Sequence, residues 1–165
     1  MSSEPSHPAV ERVQQALAAG GASVRPQWLA DGAHTAAQAA EQLGVPLGAI
    51  AKSVILRCGD AAVLCITAGD RRVQAERLPP ELGTPGRADA DFVRRHTGFA
   101  IGGVAPLGFA PAEAASAPRV LMDPSLWRFD TVWAAAGHPR TVFGLPPDQL
   151  QQLAAATVHP FTDES

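Results

Sequence analysis

Lys52-Ser53-Val54-Ile55-Leu56-Arg57-Cys58-Gly59-Asp60-Ala61-Ala62-Val63-Leu64-Cys65-Ile66-Thr67 decides the fold class of this chain. Ser53 to Arg57 and Ala62 to Thr67 are short runs of β-favouring residues that suit a pleated, buried surface, and Gly59-Asp60 between them reads as the turn of a hairpin. Strands joined this closely run antiparallel, which departs from the regular strand-helix-strand repeat of a doubly wound sheet.

Helices are expected on both sides of the hairpin. Upstream, Pro8 to Ala19 carries Val10, Val13 and Leu17 at helical spacing, with Gly20-Gly21 as a stop. A second helix starts at Thr35, where Thr35-Ala36-Ala37-Gln38 matches a capping box. Ala36, Ala39, Ala40 and Leu43 form its apolar stripe, and Gly44 suits the left-handed position after its last turn. Downstream, Ala75 to Leu82 reads as a weak helix broken around Pro79-Pro80. Asp89 to His96 reads as a better one, acidic in its first turn, basic in its last, with Gly98 beyond. Arg119 to Met122, Thr131 to Ala135 and Thr141 to Phe143 read as strands, and Pro146 to Ala155 as a closing helix. The sum is a mixed α+β fold with no internal repeat.

The 165 residues, 46% of them apolar, fit one domain over 1–165 with a short flexible N-terminal start. No apolar run is long enough to span a bilayer, and Met1-Ser2-Ser3-Glu4-Pro5-Ser6-His7-Pro8 lacks the pattern of a secretory signal, so a cytoplasmic location without membrane partners is expected. Cys58 and Cys65 lie in neighbouring strands without CxxC spacing and are expected to be buried free thiols. A net charge of −3 argues against gripping a long stretch of nucleic acid such as duplex DNA, while leaving contact with a nucleic-acid end open. Arg71, Arg72, Arg77, Arg87, Arg94 and Arg95, with His96, could form a basic rim or simply be solvated faces.

Three features carry the chemistry. Lys52 is the only lysine; every other basic residue is arginine. Either it is a solvated residue at a strand entrance, or its site needs a compact, rotatable ammonium that a planar guanidinium cannot replace. The second feature is Thr97-Gly98-Phe99-Ala100-Ile101-Gly102-Gly103-Val104-Ala105-Pro106-Leu107-Gly108-Phe109. Gly102-Gly103 lets backbone approach a ligand and Pro106 stiffens the exit, so the amides could serve as an oxyanion hole; a tight connection or bulge is the alternative. The third is Ala135-Ala136-Gly137-His138-Pro139, either the wall of a small pocket or a turn between strands. The chain has no P-loop, no dinucleotide fingerprint, no GxSxG elbow and no paired metal-ligand spacing of histidines.

Taken in order, Thr35 to Val45, Ala51-Lys52-Ser53, Thr97 to Gly108, Asp123 and Ala136-Gly137 resemble the YbaK family of aminoacyl-tRNA deacylases, which is similar to the editing domain of bacterial prolyl-tRNA synthetases. The resemblance spans roughly Thr35 to Phe143. It implies a mixed, partly barrel-like β-sheet surrounded by helices, and an ester hydrolase that clears mischarged tRNA in trans. The family lysine falls on Lys52 and the GxxxP loop on Gly102 to Pro106. Lys52 would hold the charged 3′ end of the tRNA, the amides of Gly102, Gly103 and Val104 would face the ester, and the ribose 2′-hydroxyl would help to position water. Ala136, Gly137 and His138 would line the amino-acid pocket. Thr35 and Asp123 are further candidates, with a helix N-cap and a strand-end turn as their structural alternatives.

The resemblance implies no cofactor and no metal. The expected partner is the acceptor end of an aminoacyl-tRNA carrying a small amino acid, on tRNA(Pro) or a related tRNA, with a synthetase as a further partner. A binding module that holds tRNA or a synthetase without hydrolysis is the competing reading. The two separate on whether Lys52 and the Gly102-Gly103 amides face one cleft.

Overall fold

A computed structural model describes residues 7–30 and 35–163; the expected flexible start falls outside them. Helix α1, Pro8–Ala19, has the anticipated bounds, and its stripe of Val10, Val13 and Leu17 is buried. Strand β1, Gln27–Trp28, follows. Helix α2, Ala36–Leu43, is capped as its sequence requires: the Thr35 hydroxyl accepts from the Gln38 amide (3.1 Å), the Gln38 side chain accepts from the Thr35 amide (3.0 Å), and Gly44 closes the helix at φ 70°.

The hairpin forms from β2, Ile50–Cys58, and β3, Ala61–Ala68, paired from Ala51↔Ala68 to Cys58↔Ala61. Strand β4 is Pro85–Arg87, and helix α3 is Ala90–Thr97, with the Asp89 side chain accepting from the Phe92 amide. Strands β5, Arg119–Met122, β6, Val132–Ala135, and β7, Thr141–Leu145, precede α4, Pro147–Ala154, and β8, Thr157–Val158. The expected helix over Ala75 to Leu82 is replaced by two 3-10 turns, Ala75–Arg77 and Pro80–Leu82. Leu78 and Pro79 each precede a proline and are driven to extended ψ values of 155° and 128°, which no α-helix accommodates.

The strands make one mixed sheet in the order β1-β7-β6-β2-β3-β5-β8, with β4 also on β2. On its edge away from β3, β2 pairs in parallel with β6 only at Ile50 and Ala51, and antiparallel with β4 only from Leu56 to Cys58. Lys52 to Ile55 therefore have a strand on one edge alone, and the sheet forks there.

The core is built by α1, β3, β5, β7 and α4, with Val13, Leu17, Leu64, Ile66, Met122, Phe143 and Leu150 essentially inaccessible. Fully burying such a side chain stabilises the fold by about 1.5–3 kcal/mol. Cys58 and Cys65 are free and buried, as expected, in a second cluster with Leu78, Leu121 and Phe161. Among the described residues no helix is long and apolar enough to cross a membrane.

Candidate functional site

The fork in the sheet opens into a cleft of about 220 Å³. One wall is the N-terminal turn of α2 (Thr35, Ala36, Ala39), another the start of β2 (Ile50 to Ser53), and a third the glycine loop (Gly102, Val104). Trp133 and Ala135 of β6, with Pro139, Thr141 and Val142, complete it. Gly144 sets the lie of Trp133: a Cβ on that glycine would stand 2.8 Å from the indole ring, so only a missing side chain lets the ring rest there.

The glycine loop is anchored before it reaches the cleft. The Thr97 hydroxyl donates to the Val93 carbonyl (2.7 Å) and accepts from the Phe99 amide (3.0 Å), while Arg12 Nη2 donates to the Gly98 carbonyl (2.9 Å). Phe99 is buried, and the chain then turns through Ala100 to Gly103, closed by the Gly103 amide on the Ala100 carbonyl (3.1 Å). Gly102 occupies the third place of this turn at φ 92°, a type II requirement that glycine meets without strain. The amides of Gly102 and Val104 have no acceptor among the described residues.

Lys52 is half-buried, lines the cleft, and has no ion-pair or hydrogen-bond partner among the described residues. Among the described residues no carboxylate lines the cleft. His138 lies just behind. Its ring packs on Trp28 (centroids 4.8 Å apart) and edge-on to His7 (5.2 Å), and its Nδ1 accepts from the Arg140 amide (3.1 Å). Burial first, then the neighbouring His7 and Arg140, hold the His138 pKa below that of ordinary imidazole. The thiol of Cys65 is pushed up to about 12, chiefly by burial and further by Cys58, which leaves it a poor nucleophile.

Of the residues singled out from the sequence, Lys52, Gly102, Val104 and Thr35 come together at the cleft. Gly103, Pro106, Asp123, Ala136, Gly137 and His138 are not among its lining residues. The Gly103 amide is spent on its turn, and the residue rests on the His138 backbone. Pro106 is buried. Ala136 points into the core, as strand alternation dictates: Trp133 and Ala135 face the cleft while Ala134 and Ala136 face inward. Gly137, at φ 102°, supports α1, where a Cβ would meet the Ala9 carbonyl at 2.9 Å.

Asp123 is fully buried away from the cleft. It accepts from the amides of Ala68 (3.1 Å) and Ser125 (2.9 Å) and from the Thr162 hydroxyl (3.2 Å). The central arginines do not form one rim. Arg71 and Arg77 donate to the carbonyls of Asp163 and Thr162, Arg95 pairs with Asp91, and His96 is buried against the Ser116 carbonyl.

Sequence reasoning missed Ala36, Ala39, Ile50, Ala51, Ser53, Trp133, Thr141 and Val142 as lining residues. Alternation along β6 could have separated Ala135 from Ala136; nothing local marks the others, because the fork that exposes them is a pairing of distant strands.

The family model of the aminoacyl-tRNA editing domain matches residues 30–153. The chain is 36% identical over 126 residues to the uncharacterized protein YwhH of Bacillus subtilis (strain 168), a match covering 75% of this chain and 77% of that one. It is 34% identical over 77 residues to the proline–tRNA ligase of Thermosipho africanus (strain TCF52B), covering 46% of this chain and 14% of the ligase. A crystal structure put forward as a trans-editing enzyme for prolyl tRNA synthetase superposes with a TM-score of 0.85 at 33% identity, over 96% of this chain and 99% of that one.

Proposed function

Because this chain belongs to the aminoacyl-tRNA editing domain family, we propose that it is a trans-editing deacylase that hydrolyses the ester of tRNA mischarged with a small amino acid, on tRNA(Pro) or a related tRNA. The observation that carries the reading is that Lys52 and Gly102 line one cleft. A docking surface needs neither a solitary ammonium nor uncommitted amides beside it.

In the reaction, water adds to the acyl carbon and loses a proton. The bond from that carbon to the ribose oxygen breaks, and that oxygen leaves with a proton, giving free amino acid and uncharged tRNA. Lys52 attracts the phosphate-bearing 3′ end. In this reading the amides of Gly102 and Val104 stabilise the charge that grows on the acyl oxygen, each worth on the order of 3 kcal/mol in a water-poor site. No residue here has to act as a covalent nucleophile, and the ribose 2′-hydroxyl is the group that positions water.

Size supports a small acyl group. The cleft is below the roughly 300–1,000 Å³ typical of pockets for drug-sized ligands, and Ala36, Ala39, Ala135, Val142 and Pro139 give it apolar walls. A synthetase pocket gains only about 1–3 kcal/mol from a methylene, so a second site that admits only the smaller amino acid removes the error.

The test is hydrolysis of tRNAs charged with Ala, Ser, Thr, Cys and Pro by the native protein and by Lys52→Ala. Release of one small amino acid, at least about tenfold slower in the variant, is expected. Intact esters throughout, with measurable tRNA binding, would instead establish a non-catalytic binding module.

A further inference from the structure

The floor of the cleft is one face of the forked sheet. Ile50 pairs with Trp133 and Trp133 with Gly144, which makes one row across β2, β6 and β7. Ala135 and Val142 pair in the next row, at the level of Lys52. Paired residues share a face, and the alternate residues Ala51, Ala134 and Phe143 turn into the core. Trp133 therefore stands one row from Lys52, about 6.5 Å along the strand.

Trp133 is the only aromatic side chain among the described lining residues, and the walls around it are small: Ala36 and Ala39 on α2, Ala135 on β6. Its indole N–H has no hydrogen-bond partner among the described residues, so packing places the ring. It packs in a cluster with Leu29, Val142, Ala39 and Leu43, and it lies over Gly144, where a Cβ would stand 2.8 Å from Cδ2, Cε3 and Cζ3. The ring thus leans towards β7, away from β2 and Lys52. Glycine inside a strand weakens it and marks a close approach; at Gly144 the group that approaches is the indole.

Resting on the deacylase reading above, we propose that Trp133, laid down by Gly144, is the specificity-determining residue that sets the largest acyl group the cleft admits. With the ester between Lys52 and the glycine loop, the amino-acid side chain extends over Ala135 and meets the indole one row on. A larger side chain collides with the ring. Shortening residue 133 opens that end of the cleft, whereas a methyl at position 144 lifts the ring off the sheet into the space the acyl group occupies.

The experiment measures kcat/KM of native protein, Trp133→Leu and Gly144→Ala on tRNA(Pro) carrying Gly, Ala, Val or Leu, a series that grows in apolar size alone. One methylene changes such a rate by roughly 10–200-fold. Trp133→Leu is expected to raise the ratio of the Val to the Ala ester at least about tenfold, and Gly144→Ala to lower the ratio of the Ala to the Gly ester at least about tenfold. Melting temperatures are taken alongside. If Trp133→Leu melts early, Gly144→Ala decides alone, because it keeps every side chain of the cleft. A folded variant with native ratios overturns the proposal, as does an equal loss on all four esters, which marks general damage. Activity confined to the Ser, Thr or Cys esters also overturns it, since selection then rests on a polar group and not on size. A native protein inactive on every ester defeats the deacylase reading and this proposal together, an outcome distinct from an active protein whose size preference ignores Trp133.

Discussion

Gly103 lies on the backbone of His138: a Cβ built on the glycine would stand 2.9 Å from the His138 Cα and 3.0 Å from its amide nitrogen. Two segments far apart in sequence are thus in backbone contact, and this contact sets how the glycine loop meets the cleft. Gly102 is constrained differently, by its φ of 92°, and a Cβ there would meet only Pro139 at an ordinary 3.5 Å.

Gly103→Ala is therefore expected to cost roughly 1–3 kcal/mol, because backbone on the facing side has to move. Gly102→Ala should cost about 1 kcal/mol, as conformational strain alone. Denaturant unfolding ranks the two; equal costs, or a larger one at Gly102, would show that the loop does not bear on His138.

Asp123 is expected to act on stability rather than on substrate. Asp123→Ala leaves the buried Ala68 amide and the Ser125 and Thr162 donors without their acceptor, at a cost of about 3 kcal/mol or more. Deacylation per folded molecule, measured below the variant's melting range, should stay within about twofold of native. A large loss of activity with unchanged stability would place Asp123 in contact with tRNA.

The lowered pKa of His138 gives stability a pH dependence. Its folded-state pKa lies below the ordinary value of about 6.5. As pH falls through that value, the unfolded chain takes up a proton that the folded protein resists, so this contribution is present above about pH 6.5 and is lost in more acid solution. His138→Asn can still present an acceptor to the Arg140 amide but does not titrate. Denaturation curves at about pH 7.5 and about pH 5.5 should show a smaller acid loss in the variant; equal losses would assign the effect to other groups.

Elements with a local cause were legible in the chain. Helix α2 followed from Thr35, Gln38 and Gly44, whose capping bonds close within a few residues. The β2–β3 hairpin followed from two β-favouring runs around Gly59-Asp60. The two-residue strands β1 and β8 and the three-residue β4 were not legible, because they are too short for a periodic pattern and exist through their pairing partners. The same holds at the cleft. Lys52 stood out by being the only lysine and Gly102 by its glycine pair, whereas Trp133 and Val142 carry no local mark.

The sequence by itself determined the α+β class, most helix and strand positions, and the family, since capping, turn chemistry and apolar periodicity act over a few residues and an ordered set of motifs survives without coordinates. Only the tertiary structure decided that Lys52, Ser53, Gly102 and Ala135 share one cleft while Asp123, Ala136 and Gly137 serve the core and its supports. The reason is the pairing of β2 with β6 over two residues and with β4 over three. That non-local register opens the sheet beside Lys52, and no short-range feature of the chain encodes it.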